Sequence, residues 1–249
     1  MKTLTSIVIW VYWCFLFLFF FILISIVFLA TFPFDRYRKI PNWVLSYLGV
    51  GLLKSSPNWN ISIEGQEKYD SDQPTIFVAN HQSFLDMALI YHLPWQMKWV
   101  SKRSMLYFPV MGWLVWLTGH LTINRGSKTA LKRLENLVKP LKDHVPVMIF
   151  PEGTRSLDGD IRAFKNGPFL LSLEHGFAIQ PIVIDGGYDA FPSGAKSFKM
   201  NVNFRISVLD SIDVTTFSGL EPLKKHVRSL MIDELSRLRS EPKLPEQSQ

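Results

Sequence analysis

The stretch TIFVANHQSFLD, residues 75–86, joins an apolar run to a polar turn and then to a helix-like segment. Its first five residues, 75–79, are predicted to form a buried strand, and residues 84–92 a helix. His81 therefore lies where the strand ends, at the rim of a sheet that substrates can reach. Asp86 follows five residues later, and on one helix this spacing would point the two side chains roughly 140° apart. The pair can meet only if His81 precedes the helix and Asp86 lies in its first turn.

The His81–Asp86 pair has two interpretations. An imidazole oriented by a carboxylate is the core of a general-base device. Ser83-x-x-Asp86 also fits a capping box, in which Ser83 caps the helix and Asp86 returns a hydrogen bond. The motif by itself leaves both interpretations open.

Strand-like and helix-like patterns alternate along the chain from about residue 60. This alternation predicts an α/β fold with a largely parallel or mixed central sheet of about seven strands, flanked by helices. The segment 107–118 is unusually apolar; it is predicted to be either a buried helix or an apolar surface that holds an acyl chain or dips into a membrane. Strands are predicted at 61–63, 75–79, 97–100, 121–123, 146–150, 179–184 and 202–208, and helices at about 84–92, 105–118, 127–143, 167–175 and 221–239.

The N-terminal region is predicted to be an uncleaved, helical membrane anchor. Residues 3–34 contain no charged side chain. This uncharged stretch is longer than a membrane-spanning helix needs to be. The basic flank at 36–39 places the downstream domain in the cytoplasm if the segment spans the bilayer. A second apolar stretch, 43–53, is too short to cross and is predicted to be an interfacial helix. We therefore divide the chain into an anchoring segment at 1–56, an α/β domain at 57–239 and a tail at 240–249 that we expect to be disordered.

Charge and composition exclude several classes of function. The net charge of +6 suits an anionic membrane face or a phosphorylated substrate. The sequence contains no basic block with interleaved aromatic residues, which is the pattern that would indicate a nucleic-acid partner. The only cysteine, Cys14, lies in the anchor, and the sequence contains neither a Gly-x-Ser-x-Gly nor a His-Glu-x-x-His motif. A histidine base without an enzyme nucleophile or a metal site suggests that the substrate supplies its own hydroxyl group.

Basic side chains follow three further predicted strands. Lys102 follows the strand at 97–100, Arg125 the strand at 121–123, and Arg155 the strand at 146–150. Ligands of open α/β sheets bind beyond the carboxyl ends of strands, so these residues are expected to converge near His81 as a phosphate anchor. Glu152 would accept a hydrogen bond from the substrate or, as we favour, orient an arginine.

These motifs, taken together, resemble those of the lysophosphatidic acid acyltransferases (1-acylglycerol-3-phosphate O-acyltransferases) of the glycerolipid acyltransferase superfamily. Their first motif, a histidine and an aspartate separated by four residues, is matched by NHQSFLD at 80–86. The second is matched by INR at 123–125 and the third by FPEGTRS at 150–156. The likeness runs from about residue 60 to residue 210.

The resemblance implies transfer of a fatty acyl group from acyl-CoA or acyl carrier protein, as co-substrate, to the sn-2 hydroxyl of lysophosphatidic acid, giving phosphatidic acid. It implies no metal and no bound cofactor. His81 would be the general base and Asp86 would orient its ring. The expected location is the bacterial inner membrane or an equivalent membrane, with the catalytic domain facing the cytoplasm. The implied substrate-binding residues are Lys102, Asn124, Arg125, Glu152, Gly153, Thr154 and Arg155.

Three alternatives stay open at this point. The acceptor could be another lysophospholipid, glycerol 3-phosphate or a lipo-amino acid. A non-catalytic membrane lipid-binding protein would keep the anchor but would not need the intact polar motifs. A thioester hydrolase would release free fatty acid even when an acceptor is present.

Overall fold

The computed structural model describes residues 2–56, 58–123 and 134–241. Two N-terminal helices precede an alternation of strands and helices. Short 3-10 turns lie at Gln66–Lys68, Arg103–Tyr107, Glu135–Leu137 and Val214–Thr216. The strands are β1 Trp59–Glu64, β2 Thr75–Ala79, β3 Lys98–Lys102, β4 Leu121–Ile123, β5 Val147–Ile149, β6 Ala178–Asp185 and β7 Val202–Val208. The helices are α1 Lys2–Thr31, α2 Lys39–Leu53, α3 Asp86–Ile90, α4 Met111–Leu117, α5 Val138–Lys142, α6 Gly167–His175, α7 Gly187–Ala190 and α8 Leu220–Ser240.

The described strands form one seven-stranded sheet in the order β1-β7-β6-β2-β5-β3-β4. The strands β6, β2, β5, β3 and β4 are parallel to one another, whereas β7 runs antiparallel to β6 and carries β1 parallel to itself. The predicted α/β fold with a mixed sheet is confirmed. The loops that follow the five parallel strands meet at one side of the sheet, here called the carboxyl edge, where ligands of such sheets bind.

Alternate residues of β2 pack on opposite faces of the sheet, as the period of a strand requires. Phe77 and Ala79 join the core that includes residues of α1, α2 and α3. Ile76 and Val78 join the core that includes residues of α6 and α8. Because helices cover both faces, β2 is buried at every position, and apart from Thr75 its residues are apolar instead of alternating with polar ones.

Helix α1 packs lengthwise against the α/β domain. Its contacts extend from Trp10, whose indole N–H donates to the carbonyl of Lys196, to Phe28, whose ring centre lies 5.5 Å from that of Trp116. Ile24, between them, is fully buried. Among the described helices, α1 is the one long and apolar enough to cross a membrane. Its other side exposes apolar side chains that include Val11, Phe15, Leu18, Ile22 and Ile26.

The segment predicted as one helix at 105–118 is divided in two. A 3-10 turn covers Arg103–Tyr107, and α4 begins only at Met111. Pro109 explains the break, because proline disfavours the helical conformation of the residue before it and cannot donate to a preceding carbonyl. The two parts then fold closely together: a side chain at Gly112 would place its Cβ 2.5 Å from the carbonyl oxygen of Leu106.

Candidate active site

His81 and Asp86 meet at the carboxyl edge in the way that their spacing predicts. His81 follows β2, and Asp86 is the first residue of α3. His81 Nδ1 lies 2.8 Å from Asp86 Oδ2, and the Asp86 side chain is fully buried, whereas the His81 side chain is 17% exposed. The imidazole ring stacks on Phe150 at a centroid distance of 4.1 Å. With Nδ1 bound to the carboxylate, Nε2 is the ring nitrogen left to face a substrate.

The same Asp86 oxygen also fixes the turn that carries His81. Oδ2 accepts the backbone N–H groups of Gln82 at 2.6 Å and Ser83 at 2.8 Å. The Ser83 hydroxyl in turn accepts the N–H of Leu85 at 3.3 Å. Only half of the predicted capping box forms: Asp86 accepts the N–H of Ser83, but the Ser83 hydroxyl accepts from Leu85 and not from Asp86, and no side chain caps α3 at Leu85. The Asp86 carboxylate still has both kinds of role that the motif allows, because it holds the turn before α3 and orients the imidazole.

The neighbours of His81 tie its turn to the sheet and to distant loops. The Asn80 side chain exchanges two hydrogen bonds with the backbone of Ile184 on β6, at 2.7 and 2.8 Å. Gln82 donates to the carbonyl of Gly159 at 2.9 Å, and Ser83 donates to that of Phe191 at 2.7 Å. Sequence analysis did not assign these roles. The available signal was a run of polar residues between two buried elements, where each polar side chain needs a partner.

Among the described residues, Glu152 accepts hydrogen bonds from backbone amides and from no arginine side chain. One carboxylate oxygen accepts the N–H of His81 at 2.9 Å, and the other accepts the N–H of Arg162 at 3.1 Å. Glu152 is 3% exposed, and this burial raises the pKa of its carboxyl to about 7. The prediction that Glu152 orients an arginine side chain does not describe these contacts, because Glu152 instead holds the backbone of the His81 turn and of the loop at 151–162.

The structure describes four of the other six predicted substrate-binding residues. Lys102 is exposed at the end of β3, and Thr154 is exposed after β5. Arg155 is half-buried, and Gly153 has a positive φ of 72°, which favours glycine. The sheet order puts β5 between β2 and β3, so these segments flank the His81 turn. Asn124 and Arg125 lie outside the described residues.

An apolar cavity lies beside the residues that follow His81 in the chain. Its walls come from four helices and include Phe17 of α1, Leu48 of α2, Leu114 of α4 and Ala88 of α3. Leu85, directly before α3, also lines it. An apolar lining of this kind suits an apolar part of a ligand.

A buried polar network borders this cavity. Tyr91 donates to Asn42 Oδ1 at 3.3 Å and lies 3.1 Å from His120 Nε2. His120 Nδ1 accepts the N–H of Trp99 at 3.3 Å, so the proton of its ring resides on Nε2 and points to Tyr91. Burial lowers the pKa of His120, which keeps the ring neutral. These polar atoms satisfy one another and leave the cavity apolar.

One group of potential metal ligands occurs among the described residues, at Glu135, Glu174 and His175. Both glutamates are exposed, and the group lies at the end of α6 that precedes β6. That end is opposite the carboxyl edge, so the group has no part in the site around His81.

Comparison with known proteins shows the family and the fold of the chain. The acyltransferase family model matches residues 60–185, which is half of the chain and includes His81, Asp86 and Glu152. The chain therefore belongs to the acyltransferase family, and the family resemblance predicted from the three motifs is confirmed.

Several relatives carry the name 1-acyl-sn-glycerol-3-phosphate acyltransferase. The relative from Chlamydomonas reinhardtii is 38% identical over 166 residues, covering 66% of this chain and 50% of that protein. The Escherichia coli relative is 29% identical over 200 residues, covering 75% and 78%. The chain spans about half the length of the algal and plant relatives that it matches. The crystal structure of the lysophosphatidic acid acyltransferase PlsC from Thermotoga maritima has the same fold, with a TM-score of 0.82 and 23% identity, and the match covers 98% of this chain and 100% of that one.

Proposed function

We propose that this chain transfers a fatty acyl group from acyl-CoA or acyl carrier protein to the sn-2 hydroxyl of lysophosphatidic acid, giving phosphatidic acid. The observation that carries the proposal is the contact of 2.8 Å between His81 Nδ1 and the buried Asp86 carboxylate at the carboxyl edge. The family match and the names of the relatives support the same reaction.

The chemistry follows from the orientation of the imidazole. His81 Nε2 takes the proton of the acceptor hydroxyl while that oxygen attacks the carbonyl carbon of the acyl thioester. The Asp86 carboxylate stabilises the imidazolium that forms. When the tetrahedral intermediate collapses, the C–S bond breaks and Nε2–H returns the proton to the leaving thiolate. Each turnover restores neutral His81 and requires no nucleophile from the enzyme.

The acceptor phosphate is assigned to the basic residues at the carboxyl edge. Lys102 is the last residue of β3, and Arg155 lies in the loop after β5; both strands lie on one side of β2. Arg125, close after β4 in the sequence, completes the proposed anchor. Guanidinium groups suit this role because they bind phosphate oxygens with two parallel hydrogen bonds.

We assign the binding of the acyl chain and the contact with the membrane to the N-terminal half of the chain. The apolar cavity beside Leu85 is the proposed site of the acyl chain. The exposed apolar side of α1 is the proposed anchor, and the basic residues of its carboxyl flank, Arg36, Arg38 and Lys39, favour the cytoplasmic face of the bacterial inner membrane or an equivalent membrane. Acceptor and product then stay in the bilayer, while the thioester arrives from the aqueous side.

A panel of acceptors tests the proposal. The full chain in mixed lipid–detergent micelles is given labelled acyl-CoA or acyl carrier protein together with lysophosphatidic acid, a lysophospholipid without a terminal phosphate, glycerol 3-phosphate or a lipo-amino acid. Labelled phosphatidic acid is the expected product. Activity restricted to acceptors without a terminal phosphate would overturn the phosphate anchor, and release of free fatty acid in the presence of acceptor would indicate a hydrolase.

Removal of the base tests the mechanism. His81→Ala is expected to lower turnover by at least ~10², the usual scale for loss of a general base. His226→Ala, on the exposed surface of α8, is the matched control and should keep full activity. Unchanged turnover in a folded His81→Ala variant would exclude the base role.

A further inference from the structure

The segment 103–117 exposes a cluster of aromatic side chains that the proposed chemistry does not use. Tyr107 and Phe108 are 79% and 57% exposed, and Trp113 and Trp116 are 50% and 55% exposed. A contiguous apolar patch of this kind on a folded surface marks a contact with a partner or a membrane.

Helix α4 has two distinct faces. Met111, Leu114 and Val115 line the apolar cavity, whereas Trp113 and Trp116 lie one turn apart on the outer surface. The two tryptophans are therefore not needed to complete the core of the domain, because aliphatic residues already occupy the core-facing positions of α4. Their exposure is a property of the outer face itself.

The outer face of α4 is continuous with the apolar side of α1. The ring of Trp113 lies 5.3 Å from that of Phe21, and the ring of Trp116 lies 5.5 Å from that of Phe28. Both partners belong to α1, whose neighbouring residues, such as Ile22 and Leu29, are exposed. The anchor and α4 thus present one uninterrupted apolar surface.

Positive charge lies at two ends of this surface. Lys102 and Arg103 precede the aromatic cluster and are exposed. At the other end, the Arg38 guanidinium lies 4.9 Å from the centre of the Trp116 ring and donates to the Trp116 carbonyl. Aromatic side chains flanked by basic ones are the combination that favours the interface of an anionic lipid leaflet.

We propose that residues 103–117 form a second bilayer contact of this protein, in which the aromatic cluster inserts into the interfacial layer of an anionic leaflet. This contact belongs to the catalytic domain and adds to the N-terminal anchor. In this arrangement, α4 alone lies between the lipid and the apolar cavity. The inference concerns where the chain meets lipid, and it holds whether or not the proposed acyl transfer is correct.

A second copy of this chain is a less suitable occupant of the surface. In a two-fold dimer the same patch contacts itself, so the basic residues at its two ends, Lys102 with Arg103 and Arg38, would face basic residues of the partner. An anionic bilayer supplies the opposite charge at both ends.

Site-specific fluorescence tests the contact on the full chain. Cys14, the only cysteine, is first removed by Cys14→Ala, and one cysteine is then introduced by Phe108→Cys or Trp113→Cys and labelled with NBD. Leu230→Cys, at a partly exposed position of α8, is the matched control. Each labelled protein is bound to vesicles of phosphatidylethanolamine and phosphatidylglycerol, and flotation verifies that the anchor holds every variant. Quenching is measured with iodide in the water and with spin-labelled acyl chains in the lipid.

We expect labels at 108 and 113 to be quenched several-fold less by iodide than the label at 230, and to be quenched by the lipid-borne spin label. Lys102→Glu combined with Arg103→Glu should return the label at 108 toward the iodide accessibility of the control. Equal iodide quenching at 108, 113 and 230 would overturn the proposal. Shielding that depends on the protein-to-lipid ratio, without quenching from the lipid, would assign the patch to a second copy of the chain and would also overturn it.

Discussion

The Glu152 carboxylate accepts the backbone N–H of His81 at 2.9 Å, across 71 residues of sequence. Its second oxygen accepts the N–H of Arg162. A single buried carboxylate therefore links the turn that carries His81 to the loop that follows β5. We infer that Glu152 is a positioning residue, and that the carboxyl group is needed because it offers an acceptor oxygen on each side.

Glu152→Gln removes one of these two acceptors. The amide retains one oxygen, and its NH₂ group must face a backbone N–H that also donates. An unsatisfied buried donor costs about 1–3 kcal/mol, so we expect kcat to fall by about ten-fold or more, with a smaller change in KM. The assay is acyl transfer from labelled acyl-CoA. Glu174→Gln, at an exposed position on the opposite edge of the sheet, is the control, and equal activity of both variants would contradict the positioning role.

The titration of Glu152 predicts a pH dependence of stability. Burial raises the pKa of its carboxyl from 4.5 to about 7 in the folded protein. The folded state therefore favours the protonated form, and the stability that this provides is present below pH 4.5 and is lost as the pH rises through 7. The loss amounts to at most about 3 kcal/mol. Chemical unfolding in micelles between pH 4.5 and pH 8 should show this decline in the wild type and a weaker one in Glu152→Gln, whereas parallel curves would argue against it.

The Asp86 carboxylate is predicted to act on the reaction through its charge. In Asp86→Asn, the amide oxygen can still accept from His81 Nδ1, but the negative charge that stabilises the imidazolium is gone. We expect kcat to fall by at least ~10² while the protein remains folded. Circular dichroism and turnover are measured together, with Asp72→Asn, an exposed surface position, as the control. A folded Asp86→Asn variant with wild-type kcat would show that the carboxylate serves only to hold the turn before α3.

The parts of this site that sequence could predict are those made by neighbours in the chain. The strand at 75–79, the turn and the His81–Asp86 contact follow from local periodicity and a spacing of five residues. The division at Pro109 was also readable, because proline restricts the residue before it. The contacts of Glu152 with backbone amides could not be predicted from the sequence. Its two partners lie 71 and 10 residues away, and every residue except proline offers such an amide. No side-chain pattern identifies such a contact before the fold is known.

Gly187 is a second residue whose role depends on the fold. A Cβ at this position would lie 2.6 Å from Asp86 Oδ1 and 3.2 Å from Ser83 Cβ. Because Asp86 is held by three hydrogen bonds, Gly187→Ala must displace either the carboxylate or the backbone of α7. We expect a marked loss of kcat. Gly51→Ala, whose Cβ would lie at an ordinary 3.4 Å from Leu16, should be tolerated.

A double-mutant cycle separates this effect from general destabilisation. Once Asp86→Ala has removed the carboxylate, Gly187→Ala should cost little further activity, because the two changes act on one contact. Independent, additive losses in the cycle would mean that Gly187 acts elsewhere in the structure.

The C-terminal helix is predicted to support the site through two arginines. Arg239 donates to the Gly159 carbonyl at 2.8 Å, and this same carbonyl accepts from Gln82, the residue after His81. Arg228 donates to the carbonyl of Arg162 at 3.1 Å, and the N–H of Arg162 binds Glu152. Two chains of hydrogen bonds thus run from α8 to the turn that carries His81.

Arg239→Met should therefore loosen the loop at 159–162 and lower kcat several-fold, with little effect on KM for the acyl donor. Arg237→Met is a matched control on the same helix, because Arg237 pairs with Glu64, Glu234 and Glu241 and does not contact the loop. Arg239→Met should also be non-additive with Gln82→Ala, since both residues bind one carbonyl. If the two arginine variants lost activity equally and in proportion to stability, α8 would serve the fold alone and the proposed coupling to His81 would be wrong.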